Sequence, residues 1–296
     1  MRTPTGISVT VLGHGVRAEA MAEALAMDNA VTFWDEHGDA AHPRSIRRAD
    51  SLHGALDGAS LVVVCVDDYD ATARILGRAE HHVTSRDVVN VTSGTSVQAR
   101  QLAAWVGERG GRYLDGALMA HPEHVGKPET VLVYSGSKEL FAHHERLLGQ
   151  LGSATYLGSD PGTAALYDVA MLSFAWATLI GYLYSAALLR TAEVHATTTT
   201  PLLNHWMSTT IASVIADYAP QIDNGRYPGD EEWLELDAPL MDHLIQAAQE
   251  RGINTELPQL IRSLTRRGIE AGHGRDSFAS LIEIIASSRE PDAGFR

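Results

Sequence analysis

The chain has 296 residues and a formal net charge of −14, with 23 Lys and Arg against 37 Asp and Glu. That length accommodates one large domain or two ordinary ones, and the acidic charge argues against nucleic acid or an anionic membrane as a partner, because both require a basic surface. The single cysteine, Cys65, excludes an internal disulfide framework and any metal site built from several cysteines.

Residues 7–36 predict a strand, a tight turn, a helix and a second strand. The first apolar run ends at the turn Gly13-His14-Gly15, and the second ends at Asp35 and Glu36. In such a unit the glycines let backbone amides approach a diphosphate, and the helix N-terminus adds partial positive charge. An acid about twenty residues past the turn hydrogen-bonds the adenosine ribose of NAD.

This unit predicts a dinucleotide-binding site. The fingerprint tolerates alanine at its third glycine position, where this chain has Ala18. A Rossmann-type domain that binds no nucleotide is the alternative, because the residues flanking the turn are unusual. The predicted cofactor-binding residues in this segment are Gly13, His14, Gly15, Val16, Arg17, Asp35 and Glu36.

Strand-like and helix-like segments alternate through the first half of the chain. The alternation is typical of a mostly parallel sheet with helices on both faces, and ligands of such sheets bind beyond the carboxyl ends of the strands. The predicted strands are Ser8–Leu12, Val31–Trp34, Leu61–Val66, Asp87–Val91, Arg112–Ala117, Val131–Ser135 and Ala154–Leu157. The predicted helices among them are Thr72–Ala79, Val97–Gly107 and Lys138–Leu148.

Two further groups of cofactor-facing residues follow from this arrangement. Val66 and Asp67 end one strand, and Thr92 and Ser93 end the next, where they can hydrogen-bond ribose, nicotinamide or substrate. The alternative is that these polar residues only cap the helices that follow.

A histidine-rich loop follows the strand Arg112–Ala117. His121 and His124 lie there with Glu123, and imidazole is suited to proton transfer near neutral pH. We therefore predict His121 as the first catalytic candidate and His124 as the second; solvated loop histidines are the alternative. We predict no metal site, because the other histidine pairs lie on polar, surface-like segments.

The pattern becomes all-helical after Gly158. We predict a dinucleotide-binding Rossmann domain over residues 1–158 and a helical domain over residues 159–296, which makes the fold class α/β plus all-α. One long helix from Pro161 to about Val194 is apolar on nearly every face, which is typical of a buried helix. A second subunit around this helix would bury it, so we predict a homodimer. Later helices are predicted at 200–218, 231–251, 257–271 and 277–287, followed by a frayed tail.

The sequence also predicts a cytoplasmic location. The N-terminal segment has no apolar signal region. We find no uninterrupted apolar stretch long enough to span a bilayer, and therefore expect no membrane partner.

Several segments resemble the imine reductase family, a branch of the 6-phosphogluconate and β-hydroxyacid dehydrogenase superfamily. The resemblance is carried by VLGHGVRAEAMAEAL, VNVTSGTSVQARQLAAW, YLDGALMAHPEHVGKPETVLVYSG and TYLGSDPGTAALYDVAML, with YPGD and GHGRDSF later in the chain. These segments span nearly the whole chain in the family's order. The NVTSGT stretch and the loop after GALM are more specific than the glycine turn.

The resemblance implies an N-terminal Rossmann domain, a long interdomain helix and a C-terminal helical domain that forms a reciprocal dimer. It also implies hydride transfer from a reduced nicotinamide to the carbon of a C=N bond. The family's cleft lies between the Rossmann domain of one chain and the helical domain of the other.

The chain departs from the family's pattern in its cofactor segment. Asp35-Glu36-His37 stand where family members usually carry a basic residue for the 2′-phosphate of NADPH, and two carboxylates would repel that phosphate. Arg17 replaces a hydrophobic residue of the turn, and it can reach the diphosphate or pair with Asp35 or Glu36.

It departs again at the predicted catalytic positions. Ser173 stands at the helix position that the resemblance assigns to an Asp or Tyr proton donor, and serine is a poor acid near neutral pH. Tyr167 and Asp168, one turn earlier, remain candidates for lining the cleft. The loop with His121 and His124 is mostly apolar in the family.

We predict an imine reductase-like oxidoreductase that acts on a small cyclic imine or iminium. NADH is favoured over NADPH by Asp35 and Glu36, and use of no cofactor is left open. The alternative is a redox-inactive homologue that performs cofactor-independent acid–base chemistry, such as cyclisation or isomerisation. A β-hydroxyacid dehydrogenase is disfavoured, because residues 161–189 contain no lysine. The predicted catalytic residues are His121, Ser173, His124 and Ser93.

Overall fold

The structure is a computed structural model that describes residues 6–38 and 46–287. The strands are, in chain order, β1 (Ser8–Gly13), β2 (Ala30–Trp34), β3 (Arg47–Arg48), β4 (Leu61–Cys65), β5 (Asp87–Asn90), β6 (Arg112–Met119), β7 (Val131–Gly136) and β8 (Ser153–Tyr156). They form one sheet in the order β3-β2-β1-β4-β5-β6-β7-β8. The first six strands are parallel; β7 is antiparallel to β6, and β8 is parallel to β7. The carboxyl ends of β1 to β6 therefore lie at one edge.

Six helices cover the two faces of this sheet. They are α1 (Gly15–Leu25), α2 (Leu52–Leu56), α3 (Tyr69–Arg78), α4 (Glu80–Val83), α5 (Ser96–Glu108) and α6 (Lys138–Leu148). One hydrophobic cluster packs α1 and α6 against one face, and a second packs α2 to α5 against the other. The central strand β4 is buried along its whole length, which explains its uninterrupted apolar sequence.

The predicted α/β class is confirmed by this arrangement. Every predicted strand is present within a residue or two of its predicted ends. The sequence reading missed β3, α2 and α4, which span two to five residues each. Elements this short contain too few residues for their hydrophobic period to be read.

The second half of the described chain is helical. Its helices are α7 (Gly162–Arg190), α8 (Ala196–Trp206), α9 (Ala212–Asn224), α10 (Leu234–Glu250), α11 (Glu256–Gly268) and α12 (Leu281–Ala286). A π-helical turn, Met207–Ile211, joins α8 to α9, and a second, Ile269–His273, follows α11. The predicted all-helical half is confirmed for these residues, and the predicted frayed tail after Ser288 lies outside the described residues.

The chain divides into two compact units, of which the first ends at Ala175 and the second begins at Trp176. The predicted boundary at residue 158 was placed where the composition changes. The first turns of α7 nevertheless belong to the first unit, because Ala164 and Ala165 are buried against residues of the sheet and its helices.

The helix α7 corrects one expectation from the sequence. Its 29 residues include a window with a mean hydropathy of 1.5, so by length and composition alone it is able to cross a membrane. Ser, Thr and Gly interrupt its apolar runs without lowering the mean hydropathy much, which is why a search for uninterrupted runs missed it. Such a helix is weak evidence of a membrane span, because the core helices of other proteins meet the same criteria.

Candidate functional site

The glycine turn between β1 and α1 leaves bare backbone at the carboxyl edge of the sheet. A Cβ atom on Gly13 would lie 2.3 Å from the Cβ of Ala18 and 3.0 Å from the carbonyl oxygen of Cys65, so no larger residue fits there. Gly15 has a φ of +75°, which favours glycine, and open space surrounds the position of its missing Cβ. The turn therefore fits a diphosphate at the N-terminus of α1.

Asp35 lies just beyond the end of β2, and its side chain is only 3% exposed. Its Oδ1 accepts a hydrogen bond of 2.9 Å from the backbone amide of His37. The Nδ1 of His14 lies 3.3 Å from the same oxygen. The imidazole rings of His14 and His37 are in contact, with their centroids 4.7 Å apart. The carboxylate is thus held between the glycine turn and the end of β2, where an acceptor for ribose hydroxyls is needed.

Glu36 is held by two arginines of α3. The Nη1 atom of Arg74 lies 2.6 Å and 2.8 Å from the two carboxylate oxygens, and the Nη1 of Arg78 lies 2.5 Å from one of them. The hydrogen bonds from these arginines hold the pKa of Glu36 below its ordinary value. The sequence left open a pairing of Arg17 with Asp35 or Glu36; the structure gives these carboxylates other partners.

The loops after β4 and β5 are joined by a hydrogen bond. The backbone amide of Val66 donates to the Oγ1 of Thr92 over 3.1 Å, which brings these two predicted cofactor-facing segments together. Asp67 is exposed beside them. Helix capping falls to the next residue, because the side chain of Asp68 accepts from the amide of Ala71 at 2.7 Å.

Ser93 and Asp168 form the contact that the sequence did not predict. Asp168 lies in the second turn of α7 and is buried, and the Ser93 side chain lies close to its carboxyl. Burial raises the pKa of the Asp168 carboxyl, although the polar side chain of Ser93 and the positive charge of Arg17 act in the opposite direction. A buried carboxyl with a raised pKa beside the cofactor-facing loops is suited to general acid–base work.

A second buried carboxyl, Asp115 of β6, lies close enough to Asp168 to interact with its charge. Its Oδ1 accepts hydrogen bonds of 2.6 Å from the hydroxyls of both Tyr69 and Tyr113, and the Oδ2 has no partner among the described residues. Burial raises the pKa of Asp115 to about 7, and the charge of Asp168 adds to this effect. Sequence reading missed this group; its signal was a carboxylate two residues after a tyrosine in an otherwise apolar strand.

The remaining predicted catalytic residues are bound to their own helix or are exposed. The hydroxyl of Ser173 donates 2.8 Å to the carbonyl of Val169, so it is engaged with its own helix. His121 and His124 are exposed on the loop after β6, at the same edge as the glycine turn. Among residues 6–38 and 46–287, no group of three metal-ligating side chains comes together.

Comparisons with known proteins identify the family to which the chain belongs. Residues 160–287 match the family model of the NADPH-dependent reductive aminase-like C-terminal domain. A curated NADPH-dependent reductive aminase from Aspergillus oryzae is 30% identical over 292 residues, which cover 96% of this chain and 99% of that protein.

Solved structures with the same fold include enzymes with either nicotinamide cofactor. A reductive aminase from Aspergillus terreus in complex with NADPH and ethyl levulinate is 31% identical, has a TM-score of 0.87 and matches 95% of this chain and 100% of its own. A variant imine reductase from Myxococcus stipitatus in complex with NAD+ is 30% identical, with a TM-score of 0.84 and the same shares of both chains. These relatives do not favour the redox-inactive alternative.

The nucleotide-fitting turn, the buried acid beside it and similarity along the whole chain agree: this protein belongs to the imine reductase family and is an NAD(P)H-dependent oxidoreductase that transfers hydride to a C=N bond.

Proposed function

We propose that this protein reduces a small cyclic imine or iminium and that it uses NADH in preference to NADPH. The observation that carries the cofactor preference is the buried carboxylate of Asp35, a residue that lines the cavity next to the end of β2. A carboxylate there accepts hydrogen bonds from ribose hydroxyls and repels a 2′-phosphate.

The residues of the first unit divide the work of holding the dinucleotide. The turn at Gly13-His14-Gly15 and the start of α1 bind the diphosphate, and Asp35 binds the adenosine ribose. The loops that are joined by the hydrogen bond between Val66 and Thr92 hold the nicotinamide half of the cofactor, near Ser93. When bound, the reduced nicotinamide supplies the hydride.

Asp168 is our candidate for the proton that an imine nitrogen needs. Its burial stabilises the protonated form, and the nearby side chain of Ser93 orients the carboxyl. Ser173 is a weaker candidate, because serine is a poor acid and its hydroxyl is engaged with Val169. His121 and His124 stay second candidates, since they lie at the same edge but have no orienting side-chain partner in the described structure.

An iminium carries its positive charge already and needs no proton from the enzyme. The two substrate types therefore separate the role of Asp168 from the rest of the site. A neutral cyclic imine depends on the acid, whereas a preformed N-alkylated iminium of the same ring size does not.

The helical unit leads us to propose a homodimer. All but four of the exposed large hydrophobic side chains in the described chain lie at or after Leu166. Phe174, Trp176 and Leu183 on α7 are each about 60% exposed. Such a concentration of apolar surface marks an interaction site. The length of α7 would also permit a membrane span, but a second copy of this chain would cover the same surface, and we propose the second copy. A cytoplasmic location stays a prediction.

Binding and turnover measured on the purified protein test this proposal. We expect NADH to quench tryptophan fluorescence at lower concentration than NADPH. We also expect oxidation of NADH, followed as loss of absorbance at 340 nm, only when a cyclic imine is present. Stronger binding of NADPH would contradict the cofactor preference. Failure of both cofactors to bind would contradict the use of this cavity.

A further inference from the structure

The arrangement around Glu36 has the form of an occupied anion site. The Glu36 carboxylate receives hydrogen bonds on both of its oxygens from Arg74, at 2.8 Å and 2.6 Å, and a third from Arg78. Arg74 and Arg78 are four residues apart on α3 and therefore lie on the same face of the helix. Two guanidinium groups that converge on one small anion also match the geometry of a phosphate.

The site lies beside the predicted position of the adenosine ribose. Glu36 and Arg78 line a cavity of about 750 Å³ together with Asp35 and Arg48. Because Asp35 is the neighbour of Glu36 in the chain, the arginine pair lies next to the acceptor proposed for the ribose hydroxyls. A phosphate on the 2′-oxygen of that ribose would therefore point into the region that Glu36 now fills.

The charge state of Glu36 strengthens this comparison. Two hydrogen bonds from Arg74 and one from Arg78 hold the pKa of Glu36 below its ordinary value, so the group is an anion throughout the neutral range. Its negative charge and two acceptor oxygens occupy the position between Arg74 and Arg78 that the 2′-phosphate of NADPH would take.

We propose that Glu36 is a built-in substitute for the 2′-phosphate of NADPH: it fills a latent phosphate site formed by Arg74 and Arg78. NADPH must displace this carboxylate before its phosphate reaches the arginines, whereas NADH leaves it in place. The inference rests on the proposed use of this cavity for the adenosine part of the cofactor. It assigns the choice of cofactor to Glu36, Arg74 and Arg78. Their effect adds to the repulsion of the 2′-phosphate by Asp35.

The decisive variant is Glu36→Gln. It keeps the size of the side chain, removes the negative charge and leaves Arg74 and Arg78 without their anionic partner. The three side chains are partly exposed, with 25% for Glu36 and 53% for each arginine, and exposed ion pairs contribute little to stability. We therefore expect the variant to fold, which circular dichroism and its melting temperature will verify.

The probes are adenosine 2′,5′-bisphosphate and adenosine 5′-monophosphate, titrated by calorimetry. They differ only in the 2′-phosphate, and they report binding without turnover. We expect Glu36→Gln to bind the bisphosphate at least about tenfold more tightly than the unmodified protein, because two charge-assisted pairs become available. Affinity for the monophosphate should change by less than about twofold.

Two controls distinguish the arginine site from a general change in charge. Asp50→Asn removes one negative charge from a residue that lines the same cavity, and it should leave bisphosphate affinity within about twofold of the unmodified protein. Replacement of Arg74 and Arg78 by Gln in the Glu36→Gln background should abolish the gain.

The outcomes separate this inference from the proposed function. Unchanged bisphosphate affinity in Glu36→Gln, an equal gain in Asp50→Asn, or a gain that survives loss of both arginines would overturn the inference. The proposed function is tested independently by NADH binding to the unmodified protein, which does not depend on the arginine pair.

Discussion

The imidazole of His14 lies 3.3 Å from the carboxylate of Asp35, and this contact joins the glycine turn to the end of β2. The turn residue that would lie beside the diphosphate thus also contacts the acid proposed to bind the ribose. A hydrogen-bond partner on a carboxylate competes with ribose hydroxyls for its oxygens and weakens its repulsion of a nearby phosphate.

Replacing His14 by Ala should therefore make the cofactor preference stricter. With one fewer partner, Asp35 is free to accept both ribose hydroxyls, and its charge is less compensated. We expect the ratio of the Kd for NADPH to the Kd for NADH to rise about three- to tenfold, as measured by fluorescence titration.

Asp35→Asn is the matching control, because it keeps the shape and removes the charge. In Asp35→Asn the ratio of the Kd for NADPH to the Kd for NADH should fall. A His14→Ala variant that favours NADPH would show that the histidine, not the carboxylate, contacts the ribose.

Replacing Asp168 by Asn should lower the turnover of a neutral cyclic imine by about a hundred- to ten-thousandfold, because a positioned acid contributes that much. Since burial raises the pKa of Asp168, turnover of the unmodified enzyme should decline as the pH rises through that pKa. The variant should lack this decline. Steady-state kinetics over a range of pH measures both effects.

Three companion variants give the comparison for Asp168. Ser93→Ala should still show the decline with pH, displaced toward higher pH because a partner that lowers the pKa of Asp168 is lost, together with a modest loss of turnover. Ser173→Ala should cost less than Asp168→Asn. His121→Ala tests the second candidate. If this variant lost a hundredfold or more of the turnover of a neutral imine while Asp168→Asn kept nearly all of it, proton transfer would be assigned to the histidine loop. A preformed iminium should be reduced at similar rates by all of them.

Asp115 should make the folded protein less stable as the pH rises from 4 to 7. Its pKa is about 7 in the folded protein, against about 3.9 in an unfolded chain. Within that window the folded state holds a proton that the unfolded chain has lost, so the free energy of unfolding falls with pH and levels off above it. The loss is at most on the order of 4 kcal/mol. Urea denaturation of Asp115→Asn should show a flatter dependence than the unmodified protein.

Asp87 provides a contrast of opposite sign. Burial works against its ionisation, but hydrogen bonds from Arg112 and His144, each at 2.7 Å, outweigh it and hold the pKa of Asp87 below its ordinary value. Its contribution to stability is present at neutral pH and is lost as the pH falls through that lowered pKa. Asp87→Asn should therefore destabilise the protein most at neutral pH, by roughly 1–3 kcal/mol. Equal pH dependence in the two variants would contradict both assignments.

The proposed dimer depends on the apolar surface of α7. Leu183→Asp places a charge on a side chain that is 59% exposed in the single chain. If a second copy covers it, burial of an unpaired carboxylate should weaken the dimer at least about tenfold. Light scattering over a dilution series measures this. Met27→Asp, at an 84% exposed position of the first unit, is the control and should leave the mass unchanged.

Much of the fold could be predicted from local patterns in the chain. The apolar runs around Val31 and Leu61 are short and β-branched, and the long apolar segment after Pro161 is charge-poor, so strand and helix were distinguishable without tertiary contacts. The turn at Gly13 and the acid at Asp35 were recognisable because a diphosphate and a ribose impose fixed spacing on one supersecondary unit.

The partners of these residues could not be predicted in the same way. Glu36 meets Arg74 across 38 positions of sequence, and Asp168 meets Ser93 only because α7 begins against the carboxyl edge of the sheet. Sequence comparison with the family drew attention to Ser173, whose hydroxyl the structure shows bound to its own helix.

By itself, then, the sequence determined where strands, helices and the nucleotide turn lie, because backbone propensity and hydrophobic period act over a few residues. Only the tertiary structure decided which charges are compensated and which acid is buried, because hydrogen bonding and desolvation depend on groups that are distant in the chain and adjacent in space.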